Sequence, residues 1–366
     1  MPFKCKLTRP TFLNVSKILA KNQNSQKMKK QIVTTGLFLF SFLLPLKANA
    51  ATFNQLFVFG DSVSDTGNVS NSTGGLVPPS PFYFNGRFSN GPVWVDYLAE
   101  ALGIIPAPDL DPIPAGAVSG STNFAFGGAT TGSDNTILPQ LPGLTQQIGL
   151  YSQLAPFITQ PDKNPLYILF AGANDYLPTE SQTFTPFQTP NQSIANLSFA
   201  LDSLINSGAE NIMLVNLPNL GELPLTANTP QAQRLNKLTQ KHNSRLNGLA
   251  SKFASEANIF SLDVNSLFSN AVANPSEFGL TNVTDSCLFT LCQNPQQYLF
   301  WDNIHPTTAT HQIIANSALE RLQAEPQKSV PEPAAVLGLV VVGALGTTAK
   351  RKRQLQTASR NKSRSA

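Results

Sequence analysis

Charge is scarce in this chain: Asp, Glu, Lys and Arg make up 13% of its 366 residues, and histidine occurs three times. Basic residues are scarcest in the middle. Residues 1–50 hold nine Lys and Arg and residues 331–366 hold seven. That leaves nine in residues 51–330, against twenty Asp and Glu, so this body carries −11. A body of that sign excludes nucleic acid as a partner, because neutralising phosphates needs clustered Lys and Arg. There are three cysteines, and none forms a CxxC pair, which excludes a dithiol redox centre or a cysteine-ligated zinc site. No Asp, Glu and His group has metal-ligand spacing, no GxxxxGK loop is present to cradle phosphates, and no G-x-S-x-G elbow occurs. The sequence therefore implies no metal and no cofactor. It also shows no internal repeat.

Basic residues concentrate at the two ends. "MKKQIVTTGLFLFSFLLPLKANAA" runs from Lys29 and Lys30 through an apolar stretch over 37–46 to Ala48-Asn49-Ala50. That order is the order of a secretory signal peptide, with a start at Met28 and cleavage after Ala50. The apolar run is shorter than the roughly 20 residues of a spanning helix. At the other end, "VPEPAAVLGLVVVGALGTTAKRKR" places an apolar segment over 334–349 between Pro331-Glu332-Pro333 and four consecutive basic residues. Physically this is a short membrane segment with a cytoplasmic stop. It resembles the PEP-CTERM sorting tail of Gram-negative bacteria, which implies an exosortase-like processing enzyme as partner; a plain tail anchor is the alternative. Both readings make the body an exported one, at the cell surface or outside the cell. The expected organisation is a leader over 1–50, a catalytic body over 51–326 and a tail over 327–366. Removal of the leader takes Cys5 with it and leaves Cys287 and Cys292 in "CLFTLC" as an even pair. An exported protein can oxidise such a pair, and closing so small a loop adds about 2 kcal/mol by chain entropy.

With 41% hydrophobic residues the body can bury a sizeable core. Short apolar runs recur at 56–60, 123–126, 166–171, 212–217 and 258–262, and continuous apolarity marks strands covered on both faces. Between them, "PVWVDYLAEAL", "NQSIANLSFALDSLINSG", "QAQRLNKLTQKHNSRLNGLAS" and "PTTATHQIIANSALERLQ" read as helices. The third sets Leu235, Leu238, Leu246 and Leu249 on one face. Strand–helix alternation predicts a doubly wound, three-layer α/β/α sandwich whose ligands bind at the carboxyl ends of the strands. Pro-, Gly- and Ser-rich stretches over 69–86 and 104–121 read as long loops across that edge, long enough to suggest a functional rim.

Ser62 stands at that edge, after the first apolar run, in "FVFGDSVSDTGN". A serine nucleophile needs a base, a group that orients the base, and donors for an oxyanion. Of the three histidines, His242 and His311 fall inside predicted helices, where face decoration and structural roles are expected. His305 precedes Pro306, which bars it from the helical region and puts it on a loop. Asp302, three residues earlier, is close enough to turn back to the ring. Gly127-Gly128 and Asn174 follow two further strands, where backbone N–H groups and a side-chain amide are exposed. Asp61 and Asp65 are expected to shape the nucleophile's turn.

Together, "FGDSVSDTGN", "NFAFGGAT", "GANDY" and "DNIHP" resemble, in order, the four blocks of the GDSL or SGNH hydrolase family. "FNGRFSNGPVWVDYLA" is similar to the segment after the first block in its lipase and esterase members. Val63 replaces the leucine usual in the first motif. The resemblance implies a mostly parallel, flavodoxin-like five-stranded sheet. It assigns Ser62 as nucleophile, His305 as base, Asp302 as its partner, and Ser62 N–H, Gly128 N–H and the Asn174 amide as the oxyanion hole. The implied activity is carboxylic ester hydrolysis, on lipid or small esters or, second, on acetylated polysaccharide. A non-catalytic module that binds surface polysaccharide on the same scaffold is the alternative from another class. Phe82, Tyr83, Phe84, Phe88 and Trp94 form a candidate apolar acyl site, with packing under a long loop as the other reading; the residues do not otherwise identify a substrate-binding set.

Overall fold

Strand β1 (Gln55–Gly60) is buried at every position. Its side chains divide between two apolar layers, Leu56 and Val58 in one, Phe57 and Phe59 in the other. A parallel strand of this kind needs cover on both faces. The computed structural model, which describes residues 53–104, 121–158, 164–179 and 184–324, shows what provides it. After β1 come helices α1 (Asn68–Ser72) and α2 (Trp94–Ala101), strand β2 (Thr122–Asn123), α3 (Leu144–Ile158) and β3 (Pro165–Phe170). The chain continues through α4 (Asn191–Asn206), β4 (Asn211–Val215), α5 (Ala232–Phe253), β5 (Asn258–Leu262) and α6 (Val264–Ala273). It ends in β6 (Asn282–Ser286), α7 (Cys287–Thr290), β7 (Tyr298–Phe300) and α8 (Thr308–Ala324).

Strands β1 to β5 pair in parallel in the order β2-β1-β3-β4-β5. One face packs on α2, α6 and α8 through Trp94, Leu98, Phe268, Ile314 and Ala318. The other packs on α3, α4 and the second half of α5 through Ile148, Tyr151, Leu201, Leu204 and Leu246. This is the three-layer α/β/α sandwich expected from the sequence. The chain goes from β1 outward to β2 and then crosses back over β1 to β3, so the strand order reverses there and the carboxyl ends of β1 and β3 form the switch point at which such sheets bind ligands.

The expected strand over 123–126 is confined to Thr122–Asn123. Beyond it, Phe124 and Phe126 N–H groups still donate to the Val58 and Gly60 carbonyls of β1 at 2.7 and 3.2 Å, while Asn68 Nδ2 donates to the alternate carbonyls of Asn123 and Ala125 and caps the outer edge. Helices α1, α3, α6 and α7 and a small parallel sheet of β6 and β7 are additional to the elements read from the sequence, and α1 occupies the start of the 69–86 stretch expected as loop. Cys287 and Cys292 are bonded around α7, with Cα atoms 4.9 Å apart. The leader, the tail with its 334–349 segment, and nearly all of the 104–121 loop lie outside the described residues.

Candidate active site

Where β1 ends, β3 comes so near that a Cβ on Gly60 would lie 2.2 Å from the Phe170 carbonyl oxygen, so only glycine fits. Gln147 of α3 then holds the Gly60 peptide from both sides, accepting from its N–H at 2.9 Å and donating to its carbonyl at 2.8 Å. The chain turns at once: Ser64 and Asp65 N–H groups both donate to the Asp61 carbonyl at 3.0 Å. Asp65 fixes the rest. Its carboxylate accepts from the N–H groups of Gly67, Asn68 and Val69 and, across the loops, from Gly127 N–H at 2.8 Å. Asp61 Oδ1 accepts from Val63 N–H at 3.1 Å. Burial pushes the Asp61 carboxyl up to about 7 and the Asp65 carboxyl up to about 6, the donors notwithstanding. Both acids are turn-builders, and Ser62 is left facing the cleft between them.

His305 is presented from the opposite side. Strand β7 runs into Trp301, whose N–H donates to the His305 carbonyl at 2.7 Å, so 301–305 closes as a tight bend. The N–H groups of Ile304 and His305 donate to Asp302 Oδ1 at 2.8 and 2.7 Å, which turns the carboxylate back over the ring. His305 Nδ1 is 2.7 Å from Asp302 Oδ2, and His305 Nε2 is 2.7 Å from Ser62 Oγ, although 243 positions separate the two residues. Burial alone raises the Asp302 carboxyl, but the adjacent imidazole and the N–H donors overcome it and hold the group below the ordinary carboxylate range.

The donor loops complete the cleft. Ser62, Gly128, Asn174 and His305 line one open cleft. Gly128 has φ +76°, and a Cβ there would stand 2.7 Å from Asn135 Oδ1. The N–H of Gly127 is committed to Asp65, whereas those of Gly128 and Ser62 meet no acceptor among the described residues. Of the two glycines, Gly128 is therefore the one whose N–H can serve a ligand in the cleft. Asn174 lies in a single 3₁₀ turn (Ala173–Asp175) after β3, and one amide hydrogen goes to the Ala129 carbonyl at 3.0 Å. Asp175 ties the same two loops together, accepting from Thr131 N–H at 2.9 Å and Thr131 Oγ1 at 2.7 Å.

The aromatic segment after the nucleophile divides in a way its sequence does not reveal. Trp94 is wholly buried in the core, and its Nε1–H donates to Ser64 Oγ at 3.0 Å. Phe82 and Phe84 are exposed at 57% and 40%. Phe88 alone of the five lines the cleft, with its ring 5.1 Å from that of His305. Tyr83 makes a contact that no spacing signals: its hydroxyl donates to Asp302 Oδ2 at 2.8 Å from 219 positions away. His242 is not a face decoration either. It is buried, with Nδ1 2.8 Å from the Tyr176 hydroxyl. His311 is buried too and accepts from Trp94 N–H at 3.2 Å, which pins α2 to α8.

Comparison with known proteins gives a family. The family model described as GDSL-like Lipase/Acylhydrolase matches residues 56–318. A phosphatidylcholine-sterol acyltransferase of Aeromonas hydrophila is 27% identical over 81% of this chain and 98% of its own length. A thermolabile hemolysin of Vibrio parahaemolyticus is 29% identical over 73% of this chain and 63% of its own. A GDSL esterase/lipase of Arabidopsis thaliana is 28% identical over 78% of this chain and 96% of its own.

Proposed function

The chain belongs to the family of GDSL-like lipases and acylhydrolases, hydrolases of ester bonds, and on that footing we propose that it cleaves carboxylic esters through an acyl-enzyme on Ser62. The observation that carries the reading is the unbroken chain of contacts Asp302 Oδ2 to His305 Nδ1 and His305 Nε2 to Ser62 Oγ, each 2.7 Å. With the carboxylate on Nδ1, that nitrogen carries the ring proton and Nε2 accepts from the serine hydroxyl. As Ser62 Oγ attacks the ester carbonyl, its proton passes to Nε2, and Asp302 stabilises the imidazolium that results. The carbonyl oxygen becomes an oxyanion, for which Ser62 N–H, Gly128 N–H and the second Asn174 amide hydrogen are the donors. Collapse of the tetrahedral intermediate expels the alcohol, which takes the Nε2 proton. A water then attacks the acyl carbonyl and gives a proton to Nε2; the second tetrahedral intermediate collapses by breaking its bond to Ser62 Oγ, which takes that proton back, and the acid leaves.

Lipid or small carboxylic esters come first as substrate, and acetyl groups on polysaccharide second. The name of the Aeromonas relative, a phosphatidylcholine-sterol acyltransferase, supports the lipid choice. The signal-like leader and the sorting-type tail support export to the cell surface of a Gram-negative bacterium, with an exosortase-like enzyme acting on the tail. The acyl-enzyme is tested by rapid acid quench during nitrophenyl butyrate turnover, followed by mass spectrometry. A butyryl adduct on the peptide bearing Ser62 is expected in the wild type and not in Ser62→Ala. Undiminished turnover by Ser62→Ala would end the assignment.

A further inference from the structure

Asp175, in the turn after β3, is wholly buried and stands outside both the triad contacts and the walls of the cleft. Burial pushes its carboxyl up to about 6, and hydrogen bonds from Ser193 and from the Thr131 hydroxyl and N–H offset this only in part. Among the described residues no Lys or Arg pairs with it. A buried acid without a cation is costly to the fold. What it gains is a two-pronged hold on Thr131, whose N–H donates to Oδ1 at 2.9 Å and whose hydroxyl donates to Oδ2 at 2.7 Å. Asn196 of α4 donates to the same hydroxyl at 3.1 Å, which leaves the hydroxyl proton for Asp175. One residue back, Asn174 Nδ2 donates to the Ala129 carbonyl at 3.0 Å. The pairs 174–129 and 175–131 therefore run side by side, and Gly128 directly precedes the first of them.

We propose that Asp175 is a positioning residue for the oxyanion hole: clamped on Thr131, it fixes the distance between the Gly128 N–H and the second Asn174 amide hydrogen, so that both reach one oxygen. The inference rests on the acyl-enzyme reading and adds to it a residue that touches neither the substrate nor the triad. Oxyanion donors accelerate a reaction because they are already in place when the charge forms. Here the two donors come from separate loops, one after β2 and one after β3, and one of them is a side chain. The Asn174–Ala129 bond alone would let the 173–175 turn pivot against the Gly128 loop; the two bonds to Thr131 remove that pivot. An ionised carboxylate suits the task because it only accepts hydrogen bonds and can hold both prongs at once.

The experiment uses the full chain and nitrophenyl butyrate. Asp175→Ala, which opens the clamp, should lower kcat between about tenfold and about a hundredfold and leave KM within about twofold, because the oxyanion exists only after attack. Asn174→Ala should lower kcat about 10²- to 10³-fold. In that background Asp175→Ala should cost no more than about threefold further, since the amide it positions is gone. Losses that multiply in full, or a rise in KM with kcat unchanged, would overturn the proposal. The other end of the clamp gives a test that does not depend on the folding of Asp175→Ala. Thr131→Ser keeps the hydroxyl and should hold kcat within about twofold of wild type, whereas Thr131→Val, of the same shape, should lower it about tenfold; equal activity of the two would contradict the clamp. A readout apart from turnover is inhibition by an alkyl trifluoromethyl ketone, whose adduct with Ser62 carries an oxyanion. Its Ki should rise in Thr131→Val by the factor by which kcat/KM falls, and an unchanged Ki would contradict the role. A butyryl adduct on Ser62 in the wild type together with multiplying losses removes the clamp alone. Undiminished turnover by Ser62→Ala removes the acyl-enzyme reading and the clamp with it.

Discussion

Two buried imidazoles lie near the carboxyl edge of the same sheet, and their surroundings differ in two respects. His305 has a carboxylate on one nitrogen and the cleft serine on the other. His242, under the exit of β3, has the Tyr176 hydroxyl at 2.8 Å and the Ser193 hydroxyl at 3.4 Å on Nδ1, and its Nε2 meets no partner among the described residues. With no charge nearby to offset desolvation, burial pushes His242 down to about 4. A buried ring becomes a base for chemistry only when something stabilises its charged form and one nitrogen faces the substrate. His242 serves instead as a neutral wedge beneath the Gly172 turn, where a Cβ would stand 3.0 Å from its ring.

The sharpest way to break the comparison is at His305 itself. Ser62→Ala and His305→Ala should each lower kcat roughly 10⁴-fold or more, and the double variant little further, because the two act as one unit. Steady-state hydrolysis of nitrophenyl acetate measures this, and full additivity of the two losses would contradict it. Next is Asp302→Asn, which keeps the shape but lets the ring adopt the wrong tautomer; a fall of roughly 10³- to 10⁴-fold in kcat is expected in the same assay. Smaller still is Tyr83→Phe. It deletes one of two donors to Asp302 Oδ2 and leaves His305 and both backbone donors in place. A loss in kcat of about tenfold or less, with KM within about twofold, is expected, whereas a change in KM alone would make Tyr83 a substrate contact.

His242→Gln should affect turnover least and the pH dependence of stability most. Its folded pKa, about 4, lies below the ordinary 6.5. The unfolded chain therefore binds the extra proton first, and this ring costs the wild type stability as pH falls from about 6.5 to about 4; His311, pushed down to about 3 by burial, acts in the same sense. Removing the ring should flatten that limb by up to about 3 kcal/mol. Urea unfolding at pH 7 and at pH 4.5 reads the difference. Asp61 and Asp65 act in the opposite sense, since their raised values make the folded state less stable as pH climbs from about 4 to about 6 or 7. For that reason the wild-type curve alone does not isolate His242.

Much of this was legible in the sequence, and the omissions have physical causes. Strands β1, β3, β4 and β5 fall on short apolar runs bounded by turn residues, so their pattern survives packing, whereas β2 is the pair Thr122–Asn123 at the start of its run. Helix α3 carries Gly149 and Pro156 and follows a loop rich in turn residues, which mask its period. Strand β6 is largely solvent-facing and lacks an apolar run. The placement of Ser62, Asp302, His305, Gly128 and Asn174 followed from strand ends and one proline. The buried position of His242 was also within reach, because residues 235, 238, 242, 246 and 249 share a helical face. The Tyr83–Asp302 contact was not. It depends on how a long loop folds back over the site, and no local spacing encodes that.

The account stands on Ser62 being an activated nucleophile. A fluorophosphonate probe applied to wild type and to His305→Ala, with the labelled peptide sequenced, measures that directly. One adduct per chain, on Ser62, formed rapidly in the wild type and very slowly in the variant, is the predicted result. Labelling at another serine, or equal labelling rates in both proteins, would contradict it.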